Sequence, residues 1–385
     1  KVLEKAKIHT DAISSCSLLC ADGQDLMISV SLDGSLLAHT VDLVVQSSSL
    51  SEDPSKRGLA GTLSRFPYLG LSQARAPPRS KLTPFRKHTA SDPLACLSLT
   101  NDGSSGHIVF AGGHDDVVLA YGITSACAVA SVYSHRDAVT GLDIIQRPST
   151  MAGNAIWTDI STHLMVSGSW DATVKVWSVA VATGETVSIN REPLAELFDA
   201  DSTIICLSAS YVLGTGLAIA AGCTDGSFVV WLCHDDGTKV VIHKEPPRRG
   251  SGPCSSLKWT EQMGSVYLFA GFSTGRLSSH VLSNGVLERA SAVSIGVGVK
   301  CIEIIDGALL AGCSDGGLRL LPLRDGAYFD SKPTLWNAVN GKLSPGLTCI
   351  SSAISITNEL GYPRLICATG GEDGSVALFE LKRAY

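Results

Sequence analysis

The sequence predicts an all-β fold, a seven-bladed β-propeller whose N-terminal strand closes the last blade. Three observations carry this: a short motif that recurs seven times, an alternation of apolar and polar residues after each copy, and chain ends that complement one another. The copies are Ser29–Asp33, Ala111–Asp115, Ser167–Asp171, Ala221–Asp225, Ala270–Thr274, Ala311–Asp315 and Thr369–Asp373. Most read small residue, Gly, two variable residues, Asp. An apolar run precedes each copy and a period-2 stretch such as Val174-Lys175-Val176-Trp177 follows it, which is the pattern of a hairpin with its turn at the Asp. The fifth residues of successive copies stand 41 to 82 positions apart. The shortest spacing is that of one four-stranded blade, ~40–45 residues, and the longer ones hold insertions.

Taken in order, the first element is Val2 to Ile8, a strand-like run that precedes the first repeat. The last repeat ends with Ser375–Leu381, one strand short of a blade, so the opening run is expected to pair with it and remove an open sheet edge. Residues 1–385 then form a single propeller. An insertion follows the first hairpin at about 44–87, rich in Ser, Pro and Gly. It carries Lys56, Arg57, Arg65, Arg75, Arg79, Lys81, Arg86 and Lys87 against Glu52 and Asp53. Such a segment buries too little apolar surface to order itself and is expected to be a disordered basic loop, with contact to anionic membranes as its candidate role. Upstream of each hairpin an inner strand is expected. Cys16, Cys96, Cys206, Cys254, Cys301 and Cys349 are placed at one shared position on six of these strands, with Gly141 on the third, because a narrow propeller axis favours small apolar residues. None of the 12 cysteines forms Cys-x-x-Cys, so neither a metal site nor a disulfide framework is expected, and a reducing compartment is.

Composition narrows the function classes. Charged residues are 17% of the chain and hydrophobic ones 45%, with a mean hydropathy of +0.22, which excludes a long charged helix and disorder over most of the length. A net charge of −6 makes the whole surface a poor ligand for nucleic acid. No stretch approaches 18 uninterrupted apolar residues, and the opening Lys1-Val2-Leu3-Glu4-Lys5 lacks the apolar run of a signal peptide. The expected setting is the cytoplasm, with peripheral membrane attachment as an option. The start inside a strand-like run predicts a domain cut from a longer polypeptide.

The third repeat is the fullest, with His135 before the inner strand, Ser167 on the second strand, Asp171 at the turn and Trp177 on the third. In these residues the chain resembles the WD-repeat propellers, and the resemblance implies that the four form a buried hydrogen-bonded tetrad. Trp231, Tyr121 and Phe379 stand at the Trp position in blades four, two and seven, and His280 and Leu321 in blades five and six. A narrower likeness rests on Ser167–Ser178, Leu194-Ala195-Glu196-Leu197, Thr369–Asp373, His9, and Asp137-Ala138-Val139. Here the chain resembles the C-terminal propeller of BEACH–WD-repeat proteins of the FAN type. The resemblance implies an upstream BEACH domain as a partner and work in membrane trafficking or receptor signalling.

Catalytic motifs are missing: no Gly-x-Ser-x-Gly, no phosphate-binding Gly-rich loop ending in Lys-Ser/Thr, no His-Glu-x-x-His. No cofactor, metal or catalytic residue is therefore assigned. The leading expectation is a non-catalytic protein-interaction scaffold. Its binding residues are expected on the face of the hairpin turns: Trp170, flanked by His114 and Arg136, with Glu372 on the same rim. The alternatives are a propeller enzyme with a pocket in the central channel and a ubiquitin-ligase substrate receptor. For the former, the turn row Leu32, His114, Trp170, Thr224, Ser273, Ser314, Glu372 supplies no cluster of acids or metal ligands. For the latter, Trp177-Ser178 and Trp231-Leu232 lack the expected Trp-Asp-x-Arg.

Overall fold

A computed structural model of the chain describes residues 2–21, 24–44, 79–100, 107–123, 125, 127–146, 163–182, 185–250, 252–262, 264–305, 307–329, 334–336, 345–355 and 364–381. The strands form seven antiparallel sheets. Their inner strands are Ile13–Ala21, Leu94–Leu99, Val139–Gln146, Ile204–Val212, Cys254–Gln262, Val299–Ile305 and Leu347–Ser355, and each leads outward through a second and a third strand to an outer one. The exception is blade seven, whose outer strand is Val2–Lys7: it pairs antiparallel with Ser375–Leu381, Lys7 opposite Ser375 and Lys5 opposite Ala377. The ring closes as the chain ends predict. The described residues contain no helix long and apolar enough to cross a membrane.

The core lies between blades rather than within them. Its apolar clusters each join two neighbours: Val166 and Val176 of blade three meet Ile219 and Trp231 of blade four, while Ile13 and Met27 of blade one meet Ala368 and Leu378 of blade seven. A second strand such as His163–Ser169 is buried at every residue because a blade covers each of its faces. The inner strands are sewn together at the axis by side chains donating to the next blade. Ser14 Oγ donates to Leu94 O (2.6 Å), Thr140 Oγ1 to Ile204 O (2.6 Å), Ser255 Oγ to Val299 O (2.6 Å), and Thr348 Oγ1 to Ile13 O. Blades two and four have Ala95 and Ile205 where those hydroxyls stand. There the following residue is a cysteine, and its thiol reaches the matching carbonyl: Cys96 Sγ to Val139 O at 3.4 Å, Cys206 Sγ to Cys254 O at 3.0 Å.

Two expectations need correcting. Cys96, Cys206, Cys301 and Cys349 share one register position, opposite Gly112, Gly222, Gly312 and Gly370. Cys16 lies one residue beyond it, since Ser15 holds the equivalent place opposite Val30, and Cys254 lies two residues before it, since Ser256 holds that place opposite Gly271. All seven inner strands carry a register shift at the same place, so the bulge is common to the blades and Cys16 and Cys254 are displaced by their own positions in the sequence. The second correction concerns the basic insertion. Its end is not loop: Arg79–Thr89 is the outer strand of blade one, paired along Ser35–Val44. Basic residues suit an edge that faces solvent, and Pro84 is accommodated beside the register shift between Ala38 and His39. The remainder of the 44–87 expectation, 45–78, lies outside the described residues.

Candidate protein interface

The hairpin turns and the loops entering each inner strand share one face of the ring, and buried hydrogen bonds fix their positions there. In blade three an indole N–H can only donate, so Trp177 Nε1–H donates to Ser167 Oγ (2.9 Å). The Asp171 carboxylate can only accept, so His135 Nδ1–H faces Asp171 Oδ2 (3.1 Å) and Thr173 Oγ1 (3.0 Å), and in that tautomer Nε2 accepts from Ser167 Oγ (2.8 Å). Asp171 also accepts the backbone N–H groups of Arg136 (3.0 Å) and Thr173 (2.9 Å). Burial alone would raise its pKa, but the bonds from His135, Thr173 and Arg136 outweigh it and hold the carboxyl well below the usual range. The four residues expected to form a tetrad are in contact, and together they pin the loop carrying Arg136 to the turn carrying Trp170.

Blade one repeats the arrangement. His9 Nε2 meets Ser29 Oγ and His9 Nδ1 meets Ser35 Oγ, each at 2.8 Å, and Asp33 accepts from the Thr10 backbone (2.9 Å). The Trp position there is His39, buried, with no hydrogen-bond partner at Nδ1. Other blades improvise. Trp231 donates to Asp199 of the preceding loop (2.7 Å), and Asp315 holds Arg319 through two bonds of 2.8 and 3.1 Å.

On this face Trp170 stands 40% exposed. Its ring lies 5.3 Å from that of His114, and its backbone N–H donates to Ala138 O (3.1 Å). Arg136 is exposed in the adjoining loop, so the structure brings Trp170, His114 and Arg136 to one rim. Glu372 lies on the same face in the turn of blade seven, where Oε1 is 3.6 Å from Lys300 Nζ of blade six. The Trp170 turn is also strained. Ala172 has φ +63°, where blades one, four, five, six and seven use a glycine. Sequence reasoning missed two exposed aromatics on this face. Tyr133 (83% exposed) ends the outer strand Ala128–Tyr133 just before the Arg136 loop, and Phe198 (65%) precedes the loop into blade four. The signal was a large aromatic at the turn-face end of an outer strand, where nothing covers it.

The channel is a cavity of about 500 Å³. One level of it carries Asp143, Lys258 and Glu303, an ionic group that the row of turn residues could not reveal. Lys258 Nζ lies 3.1 Å from Glu303 Oε2, Asp143 accepts from the Ala209 backbone N–H (2.9 Å), and Ser352 Oγ donates to Glu303 (3.4 Å). Burial raises the Asp143 pKa, while Glu303 raises that of Lys258. Each charge is thus engaged in joining inner strands.

Seven antiparallel sheets of four or five strands on a common axis form a β-propeller, and blade three carries His-Ser-Asp-Trp hydrogen bonding. Residues 127–178, which contain that blade's network, match the family model "WD domain, G-beta repeat". Among solved structures, 99% of the chain superposes on the WD40 β-propeller domain of Doa1 (TM-score 0.60, 13% identity, 97% of that chain). The same share superposes on the RRP9 WD40 repeats (0.60, 15%, 97%) and on U3-55K (0.59, 15%, 98%). At these identities the likeness is one of fold.

Proposed function

We propose that the chain is a non-catalytic protein-interaction scaffold whose partner docks on the turn face around Trp170. The observation that carries this is the exposed indole itself, tilted against the His114 ring and next to the loop of Arg136, on a face that also exposes Tyr133 and Phe198, in a turn whose structural need is only for a small or polar residue. Aromatic and Arg side chains are the residue types that anchor protein interfaces. On the resemblance of blade three and the two ends to BEACH–WD-repeat proteins, the wider setting is a cytoplasmic adaptor in membrane trafficking or receptor signalling, with a BEACH domain as one partner. Contact with anionic membranes through the basic segment is supported by Phe85, 42% exposed with the Arg86 guanidinium 6.0 Å from its ring, and by exposed Lys87 next to it.

The test compares two tryptophans seven residues apart. Trp170→Ala keeps its melting temperature within about 2 °C and loses a partner in quantitative pull-downs, since truncating an interface anchor typically costs about 2 kcal/mol or more. Trp177→Ala loses about 3–5 kcal/mol of stability in denaturant melts, because it opens a cavity and strands Ser167. A folded Trp170→Ala protein that retains every partner overturns the reading.

A further inference from the structure

The crevice between blades four and five gathers charge that the docking face does not use. Glu245 ends the outer strand Lys239–Glu245 and is buried, yet three guanidiniums meet at its Oε1: Arg289 at 2.6 Å, Arg248 at 2.7 Å and Arg276 at 3.2 Å. They arrive from three elements. Arg248 follows Pro246-Pro247 in the loop into blade five, Arg276 opens the strand Arg276–Ser283 with its guanidinium 4.6 Å from the Phe272 ring, and Arg289 lies on Val286–Ser294. Within this group three guanidiniums face one carboxylate, a surplus of two positive charges, with Arg248 half exposed and Arg289 one-third. A second observation points to a ligand. His280 is fully buried with neither ring nitrogen hydrogen-bonded, and its ring lies 5.6 Å from that of His243, whose Nε2 is 3.6 Å from Glu245 Oε2.

Ligand atoms of His243, Glu245 and His280 lie within 4.8 Å of one another, a spacing that suits a cation. The sign of the surroundings decides against it, because a dication there would face the same three guanidiniums. An anion would relieve them. We propose that Arg248, Arg276 and Arg289 form a receptor for a phosphate monoester, presented as a phosphorylated side chain of a partner protein. The choice of a protein carrier rests on the scaffold reading above; the anion site does not. Guanidinium forks match the oxygens of phosphate, and a phosphorylated side chain carries about −1.5 to −2 charges, the amount in surplus here. Glu245 holds the three arginines together and competes with the incoming anion.

The experiment titrates the intact 385-residue chain with a short phosphoserine peptide, its unphosphorylated twin, inorganic phosphate, zinc and vesicles containing a phosphorylated inositol lipid. The phosphopeptide is expected to bind and raise the melting temperature, and its twin to do neither. Arg289→Gln and the more exposed Arg248→Gln should each weaken binding about tenfold, the loss of one charge-assisted contact. Glu245→Gln should strengthen binding several-fold, an effect no purely structural role for Glu245 would give. Trp170→Ala should leave this binding unchanged, so a failure of the docking-face reading stays distinguishable. Stabilisation by zinc and not by the phosphopeptide overturns the anion site. Arg-dependent binding to the vesicles alone overturns the protein carrier, and phosphopeptide binding indifferent to all three substitutions overturns the proposal.

Discussion

At Ser167 a single hydroxyl accepts from Trp177 and donates to His135, whose Nδ1–H is fixed by the acceptor-only carboxylate of Asp171. The same logic makes the network sensitive to acid. The carboxyls of Asp33 and Asp171 are held below their ordinary range: burial opposes this, but bonds from Ser35 and Thr10 at the first, and from His135, Thr173 and Arg136 at the second, prevail. A carboxylate whose folded pKa is depressed contributes stability above its unfolded value, near about 4, and that contribution is lost as pH falls through the folded value. His280 adds a loss at higher pH. Burial, then the nearby His243 and Arg289, push it down to about 4, so between about 6.5 and 4 the unfolded chain binds the extra proton. Urea midpoints measured from pH 7 to pH 2 should therefore fall in two stages. Asp171→Asn should cost about 2 kcal/mol at pH 7, the worth of hydrogen bonds to a charged group, and should flatten the lower stage. An unchanged lower stage in this variant would show that Asp171 does not carry it.

At the scale of the strand and turn, blade one holds three members of the network and lacks the fourth. His39 faces Met27 in the register where Trp177 faces Met165, with Ser29 already placed as Ser167 is. His39→Trp should therefore stabilise the protein by about 1 kcal/mol through one buried indole hydrogen bond, whereas Leu321→Trp in blade six should not, because Ala311 stands where the serine would be. Denaturant melts of the two variants check this, and equal effects would contradict it. The repeats were legible in the sequence because Gly and Asp at the hairpin turn are backbone requirements. Asp33, Asp171, Asp225, Asp315 and Asp373 each accept the N–H two residues on, at 2.9 to 3.0 Å. Blade three was legible in full because all four of its polar partners are present. Blade one was only half read, since His39 hides the match between His9-Thr10-Asp11-Ala12 and His135-Arg136-Asp137-Ala138. Cys16 and Cys254 were misregistered because serine, as Ser15 and Ser256, fills the position that cysteine fills in other blades, so counting cysteines does not fix the register. The outer strand Arg79–Thr89 was hidden by its charge, which an exposed edge permits.

For the whole molecule, a core placed between blades makes every blade depend on two neighbours, and the junction of blades seven and one depends on the opening strand. Leu3 and Ile8 pack against the cluster of Ile13, Met27 and Leu378, and the backbone N–H groups of Ile8 and His9 both reach Gly374 O. Deleting residues 1–8 should lower the unfolding midpoint and promote aggregation by exposing the edge of Ser375–Leu381; an unchanged midpoint would mean that the ring closes without this strand. A closed ring of this kind is a rigid support with two unlike faces. On the turn face, Trp170 and Arg136 are held by the blade-three network with His114 of blade two against the indole, while Leu213, 70% exposed, lies in a turn of blade four on the opposite face. The most direct test replaces each of Trp170 and Leu213 in turn with a photoreactive phenylalanine derivative in the full chain and identifies the proteins cross-linked on irradiation in cells. The account predicts a defined partner captured at position 170 and displaced by excess unlabelled wild-type chain, with no such partner at 213; the same partners at both positions, or none at 170, would contradict it.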